Sequence, residues 1–239
     1  MDILGEAMID YQTGHYTEDI MTYLSIHPQL EVVQDDLPLP YLFRPFNEMP
    51  KLEKKALKLC HGTVLDIGCG AGSHSLYLQK KGVSVTALDY SKGAIETCKT
   101  RGIVNCVQSD IMNFTGHRFD TLLLLMNGLG IAGTIEKLEL LLHHLSSLLQ
   151  PNAQILVDSS DIIYLFHSDE DGGHWIPAQE AYYGEVQFQM EYKGKQSTPF
   201  EWLYLDFNTL QTVANANNFS CELVSEGDHY DYLARITLK

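Results

Sequence analysis

The stretch Val64–Leu78, VLDIGCGAGSHSLYL, constrains this chain more than any other. An apolar run of strand length ends in Asp66, and three glycines follow at every second position, Gly68, Gly70 and Gly72. An amphipathic segment begins directly after them. Glycine lets the backbone turn sharply and approach a ligand with no Cβ in the way. A strand, a glycine turn and a helix in that order open a parallel βαβ unit, whose ligand site lies beyond the carboxyl end of the strand.

The segments that follow repeat the rhythm. TVLDIG, SHSLYLQKKG, VSVTALD, KGAIETCKTRG, IVNCVQSD, FDTLLLLMN, TIEKLELLLHHLSSLLQ and QILVDSS alternate short apolar runs with helical patterns. Continuous apolar strands alternating with helices predict an α/β fold, a doubly wound, mostly parallel sheet with helices on both faces. Residues 61–160 form that core. Residues 1–60 read as a helical leader, with TEDIMTYL and PKLEKKALKL amphipathic and DDLPLPYLFRPF a proline-broken link between them. Residues 161–205 read as an insertion, a loop followed by a long antiparallel hairpin in which Val186, Phe188, Met190 and Tyr192 alternate along the first arm. Residues 206–239 return to the core as a helix capped by Asp206 and two closing strands.

Composition excludes several functions. The chain has 239 residues with 16 Lys and Arg against 31 Asp and Glu, a net charge of -15. Binding nucleic acid requires cations that neutralise phosphates, so DNA and RNA are poor partners for it. No apolar run approaches the ~20 residues of a membrane helix, and the N-terminus lacks the basic start and apolar centre of a signal peptide. Five cysteines, never spaced as CxxC, argue against a disulfide framework or a zinc site and for reduced thiols in a cytoplasm. The default assembly is a monomer, with a homodimer through the exposed hairpin as the alternative.

Two cofactors use a glycine turn of this kind, the nicotinamide dinucleotides and S-adenosylmethionine. The dinucleotide fingerprint is GxGxxG, whereas here Ser73 occupies the place of the third glycine. An anionic pyrophosphate gains nothing from Asp66 beside the turn, while a cofactor carrying an ammonium and a sulfonium does. Asp89 ends the next strand about twenty residues on, a place where a carboxylate binds ribose hydroxyls in either cofactor class. Asp110 ends the third strand, and Asn127 closes the fourth.

This ordered set (LDIGCGAG, the Asp89 and Asp110 strand ends, and FDTLLLLMNG) resembles the class I S-adenosylmethionine-dependent methyltransferases, well over residues 60–160 and more loosely over 206–239. The resemblance implies a methyltransferase acting on a small-molecule acceptor. It also implies that Asp66 and the backbone of Gly68, Cys69, Gly70 and Gly72 hold the methionine end of the cofactor. Asp89 would then bind the ribose, Tyr90 pack on the adenine, Asp110 and Ile111 read the adenine edge, and Asn127 line the floor near the methyl group. Plainer readings stand beside these: Asp66 as a helix cap, Asp110 as a loop carboxylate, Tyr90 as packing, and Asn127 as a turn residue before glycine.

No catalytic residue is legible, because methyl transfer from a sulfonium needs alignment more than a universal base. Substrate recognition falls to the leader and the insertion, with Tyr11, Tyr16, Arg44, Tyr164, Trp202 and Tyr204 as candidate lining. Arg44 is the only basic residue among the first fifty. It suits a carboxylate or phosphate clamp, or an ordinary salt bridge. HSDEDGGH, 167–174, mixes His and acids but fits no ligand spacing and reads as a solvated acidic loop. Metal dependence is not expected, since Asn127 stands where metal-dependent O-methyltransferases usually carry an acid. Two alternatives remain open at this point: an NAD-dependent oxidoreductase, and a non-catalytic binding protein on the same fold.

Overall fold

The structure is a computed structural model that describes residues 1–167, 169, 173–177 and 181–239. The chain begins with helix α1 (Ile3–Thr13), strands β1 (Ile20–Ser25) and β2 (Val33–Leu37), and helices α2 (Leu39–Leu42) and α3 (Lys51–Leu59). The core follows as β3 (Thr63–Ile67), α4 (Ser73–Lys80), β4 (Ser84–Asp89), α5 (Lys92–Thr100), β5 (Cys106–Gln108), β6 (Phe119–Leu124), α6 (Ile135–Ser147) and β7 (Leu149–Ser160). Strands β8 (Glu185–Tyr192), β9 (Lys195–Gln196) and β10 (Phe200–Leu203) precede helix α7 (Phe207–Ala216) and the closing strands β11 (Phe219–Glu226) and β12 (Asp231–Leu238).

The expected doubly wound core is present. Seven strands run in the order β11-β12-β7-β6-β3-β4-β5, with β12 antiparallel to β7 and β11, and the rest parallel. Both faces of β6 are covered, which is why its run of leucines carries no polar alternation. Leu122 and Leu124 pack into the cluster that holds Leu138, Leu142 and Leu145 of α6, and Leu123 and Leu125 join Leu52 and Leu57 of α3 on the other side. Each such leucine contributes about 1.5–3 kcal/mol when fully buried. Strand order reverses between β4 and β6, on either side of β3, so a crevice opens beyond the carboxyl ends of β3 and β6.

The leader departs from the sequence reading of 1–60 as helical. TEDIMTYL is not a helix: its second half is β1, buried at Ile20, Thr22 and Leu24 with period two. Ile, Thr and Tyr favour a pleated, half-buried surface, and tertiary pairing decides the outcome, because β1 is flanked by β2 and β8. The link segment is partly β2, whose exposed VQDDL gives no strand signal of its own. PKLEKKALKL is the expected amphipathic helix, α3.

The hairpin expected at 185–203 forms, β10 pairing antiparallel to β8 with β9 alongside. It is not a free-standing insertion. With β1 and β2 it makes a second, five-stranded sheet in the order β10-β8-β1-β2. Leader and insertion are thus one structural unit, joined by strand pairing between Met21–Ser25 and Gln187–Glu191. The acidic loop read at 167–174 falls in part on residues 168 and 170–172, outside the described residues. Among the described residues no helix is long and apolar enough to cross a membrane.

Candidate functional site

The glycine turn forms as its spacing requires. Gly68, Gly70 and Gly72 have φ of 71°, 53° and 77°, and the amides of Gly68 and Cys69 both donate to the Leu88 carbonyl, at 2.9 and 3.0 Å. A Cβ on Gly68 or Gly70 would meet nothing within 4 Å, so the turn faces open space there. At Gly72 a Cβ would come within 2.3 Å of Ile103 and 2.7 Å of the Cys98 thiol, so this glycine serves close packing on α5 instead. Asp89 braces the turn from the end of β4. It accepts the Gly70 and Ser91 amides, both at 2.9 Å, and burial raises its pKa from the ordinary carboxyl value.

Asp66 stands apart from the expectation of an acid beside a ligand. It is 2% exposed and accepts a 2.6 Å hydrogen bond from Ser75. The alternation along β3 turns its side chain away from Leu65 and Ile67, into the layer between sheet and helix. Desolvation pushes its pKa up, while His74 and the Ser75 bonds pull it down.

The end of β6 is a second built corner. Met126 and Asn127 both have positive φ, 63° and 56°, a region that non-glycine residues enter at some cost. Asp158 on β7 holds them there, accepting the amides of Met126 at 3.0 Å, Asn127 at 2.8 Å and Gly128 at 3.4 Å. Burial pushes Asp158 up to about 6, against the pull of those amides. The Asn127 side chain is spent on the protein: its amide donates to the Leu203 carbonyl at 3.2 Å, and its oxygen accepts from Ser159 at 2.7 Å.

Across the crevice Arg44, Glu53 and His74 form a buried ionic cluster. Arg44 donates to Glu53 and to the Tyr41 carbonyl, with its guanidinium carbon 3.7 Å from the centre of the Tyr41 ring. The other Glu53 oxygen lies 2.8 Å from His74 Nε2. Burial works against ionisation of Glu53, but His74 and Arg44 outweigh it and hold its pKa below the ordinary value. Arg44 is 4% exposed, and its Nε has no hydrogen-bond partner among the described residues.

These corners enclose one cavity of about 280 Å³. Gly68, Cys69, Gly70 and Asn127 line it, with Arg44 and His74 at one side and, at another, Phe188, Met190, Phe200 and Trp202 of the second sheet and Tyr204 just past β10. Of the candidate acceptor-lining residues, Arg44, Trp202 and Tyr204 are brought together. Tyr11, Tyr16 and Tyr164 are not: Tyr11 packs on Tyr16 and Phe43, Tyr16 donates to Asp19, and Tyr164 stacks on Tyr230. Asp89, Tyr90, Asp110 and Ile111 lie at the ends of β4 and β5, outside the cavity lining. Tyr90 is 76% exposed, and Asp110 is exposed, one oxygen taking the Met112 amide at 2.8 Å.

Residues 64–152, from β3 into β7, match the family model described as a methyltransferase domain. The structure superposes with a TM-score of 0.89 on an S-adenosylmethionine-dependent methyltransferase from Bacteroides fragilis solved with S-adenosyl-L-homocysteine. The two are 41% identical over 99% of this chain and 94% of that one. The chain belongs to the S-adenosylmethionine-dependent methyltransferases. The methyltransferase is also 41% identical over 71 residues to the 2-heptyl-1-hydroxyquinolin-4(1H)-one methyltransferase of Mycobacteroides abscessus. That match spans 26% of this chain and 31% of the relative. DesVI of Streptomyces venezuelae shares the fold, with a TM-score of 0.58 at 16% identity over 84% of this methyltransferase and 96% of DesVI.

Family membership removes the dinucleotide alternative. Several residues of this cavity and the ionic cluster beside it carry no signal in sequence. Glu53 sits in a helix whose lysines make it look like a solvent-side charge, and His74 is one polar residue among several at the start of α4. Phe188 and Phe200 could have been found, because period-two alternation along β8 and β10 puts Phe188 with Met190, and Phe200 with Trp202, on shared faces.

Proposed function

We propose that this methyltransferase transfers a methyl group from S-adenosylmethionine to a small-molecule acceptor held in the cavity between the glycine turn and the second sheet. The carrying observation is that Gly68 and Gly70, both at positive φ, present bare backbone to a cavity whose opposite wall is aromatic. When bound, S-adenosylmethionine supplies an electrophilic methyl carbon on a positively charged sulfur. The protein's task is to align acceptor and methyl at near-attack distance, ~3–3.5 Å, and to exclude water.

The residues present fit that cofactor. Arg44 lines the same cavity as the glycine turn, and its positive charge would suit the α-carboxylate of the methionine end. The backbone of Gly68, Cys69 and Gly70 would accommodate the same end. Asp89 keeps acceptor capacity beyond its two amide bonds and would take the ribose hydroxyls, with Tyr90 covering the adenine and Asp110 and Ile111 at its edge. Asn127 shapes the floor with its backbone, its side chain being already engaged. A small-molecule acceptor is supported by the size of the cavity and by the Mycobacteroides relative, whose name specifies a hydroxyquinolone. The net charge of -15 speaks against a polynucleotide.

Calorimetry with S-adenosylmethionine, S-adenosylhomocysteine and NADH tests the reading. Micromolar binding of the first two and none of the third is expected; binding of NADH alone would overturn it.

A further inference from the structure

Helix α3 buries Leu52, Glu53, Ala56 and Leu57, so a carboxylate lies on the face where the helical period places apolar side chains. A carboxylate out of water needs partners. Glu53 has Arg44 on one oxygen and His74 Nε2, at 2.8 Å, on the other. Burial opposes its ionisation, yet His74 and Arg44 hold its pKa below the ordinary value. Glu53 is therefore a carboxylate, which only accepts hydrogen bonds. His74 must donate through Nε2, and in the neutral ring the lone pair then belongs to Nδ1. Nδ1 has no hydrogen-bond partner among the described residues and keeps accessible surface, on a side chain that lines the cavity.

The place of this ring follows from the glycine turn. Gly72 precedes α4 with φ at 77°, and Ser73 and His74 are the first two residues of the helix. His74 thus stands directly past the turn and is tied through Glu53 to Arg44. Its neighbours are already engaged. Asp66 accepts from Ser75 at 2.6 Å, and Ser73 donates to the Leu42 carbonyl at 2.7 Å while accepting from Arg101 at 3.2 Å. Among the described residues that line the cavity there is no carboxylate. A positively charged group beside the turn therefore meets a ring nitrogen held ready to accept.

We propose that His74 Nδ1 accepts a hydrogen bond from the α-ammonium of the cofactor's methionine end, and that Glu53 fixes the ring in the tautomer that can do so. The proposal rests on the reading of this cavity as the S-adenosylmethionine site. Arg44 and His74, joined through one carboxylate, then answer the two halves of an amino acid. The guanidinium suits the α-carboxylate, and the imidazole lone pair suits the α-ammonium. Glu53 itself touches neither group, since both its oxygens are taken. A ligand without the ammonium leaves the ring nitrogen unanswered, so the site selects for a zwitterionic tail.

Calorimetry on the full chain tests this with three ligands: S-adenosylhomocysteine, its analogue lacking the α-amino group, and its analogue lacking the α-carboxylate. The parent protein should bind S-adenosylhomocysteine on the order of tenfold more tightly than the deamino analogue. His74→Gln keeps an N–H for Glu53 and removes the ring lone pair. In that variant the two ligands that carry the ammonium should each lose on the order of tenfold in affinity. The deamino analogue should lose nothing, which also reports that the variant is folded. Equal binding of S-adenosylhomocysteine and the deamino analogue by the parent would overturn the proposal, with no variant needed. A loss common to all three ligands in His74→Gln would overturn it as well, being the mark of a purely structural residue. Unchanged affinities with a fall in kcat would place the lone pair on the methyl acceptor instead, and would also overturn it. Failure of the parent to bind S-adenosylhomocysteine at all would strike down the proposed methyl transfer.

Discussion

Ser159 donates its hydroxyl to the side-chain oxygen of Asn127 at 2.7 Å and accepts the Leu205 amide at 3.1 Å, so one buried hydroxyl ties the end of β6 to the chain leaving β10. The Asn127 amide returns the link by donating to Leu203. Removing the hydroxyl with Ser159→Ala orphans a buried amide and a buried carbonyl, each costing about 1–3 kcal/mol when unsatisfied. Urea unfolding should show a loss of that order, and KM for the acceptor should rise as the aromatic wall loosens. Equal stability of variant and parent would mean water replaces the hydroxyl.

Glu53 is the acid that makes Arg44 and His74 tolerable in the interior. At 3% exposure it serves both, through one oxygen each. Glu53→Gln leaves a buried guanidinium without its counter-charge and should destabilise the fold by about 3–5 kcal/mol, read from chemical denaturation. A change under about 1 kcal/mol would show that Arg44 reaches solvent readily.

Asp158 gives a signed pH dependence. Its pKa rises from 3.8 to about 6 on folding, chiefly through burial. Through that window the folded chain holds a proton that the unfolded chain has released, so this group's contribution to stability falls as pH rises from about 4 to about 6 and is level above. Asp158→Asn removes the titration. Between pH about 4 and about 6 the parent should lose stability relative to the variant, measured by paired urea melts. A pH-independent difference would place Asp158 at its ordinary pKa.

Asp89→Ala separates cofactor binding from folding less cleanly than a strand-end carboxylate suggests, because Asp89 braces the Gly70 and Ser91 amides. A stability loss of about 1–3 kcal/mol is expected from the orphaned amides. The affinity for S-adenosylhomocysteine should fall at least tenfold, about 1.4 kcal/mol. Full affinity in the variant would remove Asp89 from the proposed ribose contact.

The thiols should be sluggish. Burial raises Cys60 and Cys221 to about 12 and Cys106 to about 11, and the thiolate is the reactive form. Alkylation by iodoacetamide at pH about 8 should proceed far more slowly in the native chain than in urea. Comparable rates would contradict these environments.

The core was legible because its signals are local. Glycines at 68, 70 and 72, carboxylates closing β4 and β5, and leucines on both faces of β6 each report their own element. The second sheet was not, because its evidence is divided. Val33–Leu37 is exposed and acidic, and becomes a strand only through pairing with Met21 and its neighbours. The period-two pattern of β1 spans too few turns to be told from a helix until β8 lies beside it. In the site, the burial of Asp66 against Ser75 was not legible, because a strand places alternate side chains on opposite faces, and proximity in sequence to the turn says nothing of which face is meant. Arg44 was visible as an isolated cation, whereas its partner Glu53 was hidden among lysines.

The pairing of β1 with β8 sets an order on the making of this molecule. Strand β1 leaves the ribosome roughly 160 residues before its partner. At about 5–20 residues per second that is an interval on the order of ten to thirty seconds. Until then it has only β2, and an isolated two-stranded ribbon is marginal in water, so Ile20 and Leu24 stay without their final neighbours. The chamber that receives the acceptor is therefore begun first and finished late, and a nascent chain bears its own unprotected strand for most of its synthesis.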